Sequence, residues 1–168
     1  MGKIRGTYAL VLTLDKEATI SVGKLTTFSF PPGYYLYIGS ALGGLFPRIS
    51  RHVRPGRKLH WHIDYLMQKA SVDEVWYLVS GKRWECNWCK AAAGLPRARI
   101  LVAGFGSSDC GCRSHLLYFS SMPSFEVFRR RLWKEGRDLT RMRLDRSHDA
   151  TPLSPKAVEP PAEADGRH

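Results

Sequence analysis

The sequence predicts a mixed α/β domain of the α+β kind: a small, mostly antiparallel central sheet of three or more strands, flanked by helices. Three observations carry this. Strand-like runs come first in the chain, helical patterns are interleaved with further strands only afterwards, and Gly- or Pro-containing turn signals separate the segments. With 168 residues and 43% hydrophobic content, the chain suffices for one domain with a real core and is short for two.

Each element follows from its local pattern. Residues 5–14 alternate and are rich in β-formers, so they read as a strand. Residues 18–30 form a second strand region, a hairpin broken near Gly23-Lys24. Phe30-Pro31-Pro32-Gly33 forbids helix and sets a turn before a strand over residues 34–38. A flexible loop at 39–44 leads into a short helix at 45–53, ended by Pro55-Gly56. Residues 60–70 predict an amphipathic helix with Trp61, Tyr65 and Leu66 on one side. Residues 72–79 predict a strand, and 84–93 a helix closed by Gly94 and Pro96. Short strands are expected at 100–102 and 115–119, around a Gly/Ser/Cys loop at 104–112. A basic helix at 124–134 is capped by Ser124, with Glu126 close behind. From Arg137 onward the chain is poor in aromatics, carries four prolines and has no periodicity. The expected organisation is therefore one domain over 1–136 and a disordered tail over 137–168.

Charge is the first functional clue. Lys and Arg number 26 against 15 Asp and Glu, a formal +11. Before Gly136 the counts are 20 and 9, and after it 6 and 6, so the excess sits in the folded part. A basic folded body points to a polyanion, nucleic acid before a membrane surface; the plainer reading is a soluble basic protein. No run of about 18 apolar residues occurs, so no membrane span is expected. The opening residues lack the apolar core and cleavage site of a secretory signal, which predicts a cytoplasmic protein with reduced cysteines.

The stretch 37–58 concentrates the candidates. A strand ends at Tyr37-Ile38-Gly39, and a loop feeds the helix carrying Arg48, Arg51 and His52. Arg48 and His52, four apart, share a helical face. A guanidinium near a helix N-terminus can grip phosphate bidentately where the dipole already favours an anion. Arg48, Arg51, Arg54, Arg57 and Lys58 form a basic run with no acid in it, either a phosphate track or a solvated face.

These residues match a family. Gly6-Thr7-Tyr8 and Tyr37-Ile38-Gly39, about thirty residues apart, resemble the GIY-YIG nuclease signature, with threonine in place of the middle isoleucine. The longer words "GSALGGL", "RISRH", "HWHIDYL" and "GFGSSDCGCRSHLLYF" resemble the DUF123 branch, whose members occur alone or attached to endonuclease III-type DNA repair proteins. The resemblance implies a GIY-YIG-like core and a divalent-metal-dependent endonuclease that hydrolyses phosphodiester bonds. Its partner would be nucleic acid, DNA before RNA, with repair proteins nearby. It implies Tyr8 as general base or relay, Tyr37 orienting water or phosphate, and Arg48 stabilising the phosphoryl group. His52 would share proton transfer or phosphate contact, and Glu85, opening a later helix, would hold Mg²⁺ or Mn²⁺. Arg51, Arg54, Arg57, Lys58 and His60 would extend the nucleic-acid contact. Where many relatives carry an asparagine after the glutamate helix, this chain has Ser107-Ser108-Asp109. The reading from another class is a non-catalytic nucleic-acid-binding module with the same basic cleft.

Other groups keep two readings. Cys86, Cys89, Cys110 and Cys112 have the count of a tetrahedral zinc site, with His115 as a spare ligand, or are small buried thiols. Zinc there would brace the 104–112 loop beside Glu85 rather than catalyse. His60, His62 and Asp64 are a metal set or a hydrogen-bonded rim to the phosphate site. Trp61, Trp76, Trp84 and Trp88 either pack the core or stack on bases.

Overall fold

The computed structural model describes residues 3–132 and 135–144. Its centre is a five-stranded antiparallel sheet in the order β6-β4-β1-β5-β7, built from β1 (Gly6–Leu14), β4 (Gly33–Ala41), β5 (Ser71–Val79), β6 (Leu116–Phe119) and β7 (Thr140–Arg143). A separate hairpin pairs β2 (Ala18–Ser21) with β3 (Thr27–Phe30). Four α-helices are described, α1 (Leu45–Val53), α2 (His62–Leu66), α3 (Glu85–Ala93) and α4 (Phe125–Arg131), with a short 3₁₀ helix at Glu135–Asp138. The mixed class and the antiparallel sheet match the sequence expectation.

β1 is the middle strand because nearly all its side chains are apolar and both sheet faces are covered. Alternate residues go to opposite faces. Tyr8, Leu10 and Leu12 join Tyr35, Tyr37, Leu45 and Ile49 of α1 and Ile63 and Leu66 of α2 in one core. Ala9, Val11, Leu36 and Ile38 join Trp76, Trp88 of α3 and Phe128 of α4 in the other. In that second core the Phe128 ring lies 5.3 Å from Trp76 and 5.4 Å from Trp88, so these two tryptophans are core residues. Tyr35 is also packing: its hydroxyl donates to the Pro31 carbonyl and its ring meets Phe30 and Tyr118.

Four expectations are corrected. The chain beyond Arg137 does not begin as a tail. It forms a 3₁₀ turn over Glu135–Asp138 and then β7, whose Arg141 donates two hydrogen bonds to buried Glu74 at 2.9 and 2.7 Å. The rest of the expected tail, 145–168, lies outside the described residues. The strand expected at 100–102 reduces to a single bridge between Arg99 and Tyr118. The 60–70 helix is only five residues, because the Asp64 carboxylate accepts the backbone N–H groups of His60 and Trp61 and fixes its start at His62. The strand expected at 34–38 runs on to Ala41, absorbing part of the expected loop through pairing with β1 down to Gly6.

Candidate functional site

At the end of the sheet where β1 begins and β4 finishes, a cleft of about 380 Å³ opens. Tyr8, Tyr37, Arg48, His60 and Glu85 all line it. They reach it from β1, β4, α1, the segment before α2, and α3. Sequence separation of these residues is spanned by two strand registers: Tyr8 sits opposite Gly39, and Leu10 opposite Tyr37.

That first pairing explains a glycine. A Cβ built on Gly39 would stand 2.6 Å from the Tyr8 hydroxyl, so only a residue without a side chain leaves room for the phenol. The Tyr8 hydroxyl lies 2.7 Å from His52 Nε2. Burial pushes the Tyr8 phenol well above its ordinary range, opposed in part by the Arg48 guanidinium. Burial lowers His52 to about 3, with Asp64 pulling the other way and Arg51, Arg48 and Arg57 reinforcing the drop. At neutral pH the pair is therefore a phenol and a neutral imidazole sharing one proton between them. Among the described residues His52 Nδ1 is buried with no partner, and Tyr8 is the side chain that hydrogen-bonds the imidazole. Here the sequence expectation needs correction: His52 is fully buried behind Tyr8 and forms no wall of the cleft, so it makes no direct phosphate contact. Tyr37, on the same sheet face, is also raised by burial and then by Tyr8.

Arg48 is half-buried, donates to the Ser40 carbonyl at 3.3 Å and stacks over Trp61 at 4.5 Å. Arg51 stacks on the same indole at 4.2 Å, so one ring holds two guanidiniums by cation–π attraction. Arg51, partly exposed, donates to both oxygens of buried Asp64 at 3.0 and 3.1 Å. Arg57 joins the same carboxylate at 3.6 Å. Burial alone would raise the Asp64 carboxyl, but Arg51 and the N–H groups of Trp61 and His60 outweigh it and hold it below the usual range. The basic run thus divides: Arg54 and Lys58 stay exposed, whereas Arg51 is bound to Asp64 and Arg57 lies beside that carboxylate while donating to the Arg54 and Met67 carbonyls. Asp64 is thus engaged by two guanidiniums and two backbone N–H groups.

Glu85 is buried at the first turn of α3. The helix start is fixed by the Trp84 N–H donating to Thr7 Oγ1 at 3.2 Å, which gives the threonine of Gly6-Thr7-Tyr8 a structural task. Arg83 pairs with Glu85 at 3.2 Å and lies 3.9 Å from Asp109 across the cleft mouth. A carboxylate with open space beside it suits Mg²⁺, which takes one or two protein carboxylates and completes its shell with water or phosphate oxygens. The 104–112 loop does reach the cleft, through Gly106, Ser108 and Asp109.

The cysteines regroup. Cys86, Cys110, Cys112 and His115 bring their ligand atoms within 4.8 Å of one another, a set able to hold a metal ion. Cys89 is not in it. One helical turn further along α3, it is buried in the core beside Trp88, and burial pushes its thiol well up. Sequence reading also missed Arg83 and the cation–π role of Trp61; the basic pair Lys82-Arg83 two residues before Glu85 was the available signal for the former.

Among described residues no helix is long and apolar enough to cross a membrane. Nothing among curated proteins or solved structures matches the chain. A family match, however, covers residues 7–135, taking in every strand but β7 and all four helices. The chain belongs to the DUF123 family, described as a domain of unknown function.

Proposed function

We propose that the cleft is the active site of a divalent-metal-dependent nuclease of the GIY-YIG type, cutting phosphodiester bonds in DNA, in a repair setting. The observation that carries this reading is convergence: Tyr8, Tyr37, Arg48 and Glu85, distant in sequence, line one cleft. A basic body supports a nucleic-acid partner, with His60 lining the cleft and exposed Arg54 and Lys58 as the outer track.

Glu85 would hold Mg²⁺ or Mn²⁺, which when bound supplies charge neutralisation and stabilises the leaving oxygen. The protein's own groups do the rest. Arg48, steadied by Trp61 and the Ser40 carbonyl, faces the phosphoryl oxygens and stabilises the charge that grows there. Tyr37 holds the attacking water. The water gives a proton to the Tyr8 oxygen as Tyr8 gives its own to His52 Nε2; the hydroxide oxygen bonds phosphorus and the far P–O bond breaks. The leaving alkoxide takes a proton from solvent. Tyr8 need not exist as a phenolate at any point, a form that its burial disfavours. A phosphate anion in the cleft supplies the negative charge that lets a buried imidazole accept the proton.

The test is a panel of single-stranded, duplex, flap and branched DNA together with RNA, incubated with Mg²⁺ or Mn²⁺. Cleavage by the wild type should fall roughly 10²–10³-fold in Arg48→Ala and in Glu85→Ala. Cleavage that survives both substitutions refutes the site, and binding without cleavage across the panel identifies a non-catalytic binding module instead.

A further inference from the structure

We propose that Cys86, Cys110, Cys112 and His115 form a closed structural zinc site that clamps the 104–113 segment onto the start of α3 and so builds one wall of the cleft. The proposal stands on ligand geometry and does not depend on the nuclease reading.

The donor set comes from three places. Cys86 is on the first turn of α3, Cys110 and Cys112 are in the loop, and His115 directly precedes β6. A tetrahedral zinc site with Zn–S near 2.3 Å and Zn–N near 2.0–2.1 Å puts its ligand atoms about 3.5–3.8 Å apart. The four atoms here already lie within 4.8 Å of one another, and Cys110 Sγ is 3.2 Å from His115 Nε2. Only small side-chain rotations separate this arrangement from coordination. Three thiolates and an imidazole select a soft or borderline ion such as Zn²⁺ over Mg²⁺, so this centre is chemically distinct from the Glu85 carboxylate. Four protein ligands leave no open position for water, which makes the site structural rather than catalytic.

Bland burial of thiols does not account for the cluster. Cys86, Cys110 and Cys112 are each only partly buried, unlike Cys89. The loop has need of a staple, because between Gly104 and Ser114 it contains no regular helix or strand. Its described backbone ties hold mainly its ends: the Gly104 N–H to the Arg113 carbonyl, the His115 N–H to the Phe105 carbonyl and the Gly106 N–H to His62 Nδ1, with Ser107 to Gly104 and Cys110 to Ser107 inside the loop. Phe105 and Ser107 are its buried anchors, and Ser107 Oγ has no partner among the described residues. Gly106, Ser108 and Asp109 nevertheless line the cleft and must hold position there. On binding, the three thiols release their protons to solvent and the ion closes the loop against α3.

The experiment is titration of reduced, metal-stripped full-length protein with Co²⁺, followed by Zn²⁺. One equivalent per chain should give the visible d–d bands and near-ultraviolet thiolate-to-cobalt absorption of a tetrahedral site, and Zn²⁺ should bleach both. Cys86→Ser and Cys112→Ser should bind at least about 100-fold more weakly, since even outer partners of metal ligands are worth about 10–100-fold. Cys89→Ser should bind as the wild type does. Amide exchange across 104–113 should quicken when the metal is removed. Absence of the thiolate–cobalt bands in the reduced wild type overturns the proposal, and that measurement needs no variant to fold. Loss of binding in Cys89→Ser with retention in Cys112→Ser overturns the ligand set, and unchanged loop exchange on metal removal overturns the clamp.

Discussion

Replacing His52 should change how acid destabilises this protein, by an amount the buried Tyr8–His52 pair sets. In the unfolded chain a histidine takes a proton near pH 6.5. In the folded chain burial holds His52 to about 3. Between those values the unfolded state binds a proton that the folded state refuses, so stability is lost as pH falls through this window and is untouched above it. At about 1.4 kcal/mol per pH unit, lowering pH from 6.5 to 4.5 costs the fold roughly 2–3 kcal/mol through this one side chain. Asp64 and Glu74 are both held below their ordinary range, so their contribution starts to be lost only as pH falls through about 5, at the acid end of the window, and it is shared by wild type and variant. His62 and His115 are also lowered by burial, yet they act equally in wild type and variant. Urea unfolding followed by tryptophan fluorescence, at half-unit steps from pH 4.5 to 7, measures the slope. His52→Gln, whatever its absolute stability, should show a slope shallower than wild type by about 1.4 kcal/mol per pH unit between pH 4.5 and 6. Parallel curves for the two proteins refute a neutral buried imidazole at this position.

Two further substitutions probe how the site is assembled. Gly39→Ala drives a methyl to within 2.6 Å of the Tyr8 hydroxyl, which His52 holds in place. It should lower unfolding free energy by about 1–3 kcal/mol and, on the nuclease reading, cut cleavage roughly 10²-fold through a misplaced phenol; unchanged cleavage and stability would show the phenol has room to move. Thr7→Val keeps the side-chain shape and removes the acceptor of the Trp84 N–H. A loss of about 1–3 kcal/mol is expected in denaturant melts, with amide exchange quickening at the first turn of α3 beside Glu85.

Much of the fold was written in local pattern. The run of β-formers in β1, the Pro-Pro-Gly turn before β4 and the Ser124 cap of α4, whose hydroxyl accepts the Val127 N–H at 3.2 Å, each act over a few residues. Alternation along β4 likewise put Tyr35 and Tyr37 on one face and Tyr34 on the other, as found. β7 was invisible because Thr-Arg-Met-Arg has little strand character of its own. It becomes a strand through the bidentate Arg141–Glu74 contact and the ladder to β5, partners more than sixty residues away.

The same division runs through the site. Sequence alone determined which chemistry was available: two phenols in paired tripeptides, a guanidinium on the next helix, a carboxylate opening a later one, and an excess of positive charge. Those are properties of residue type and short spacing. Tertiary structure alone decided who meets whom. It buried His52 behind Tyr8, set Arg51 and Arg57 beside Asp64, brought Asp109 to the cleft mouth, and exchanged Cys89 for His115 in the cysteine cluster. The reason is physical: burial and charge pairing depend on what the other elements place alongside, and a helical turn of difference, as between Cys86 and Cys89, is enough to send one thiol to the loop and the other into the core.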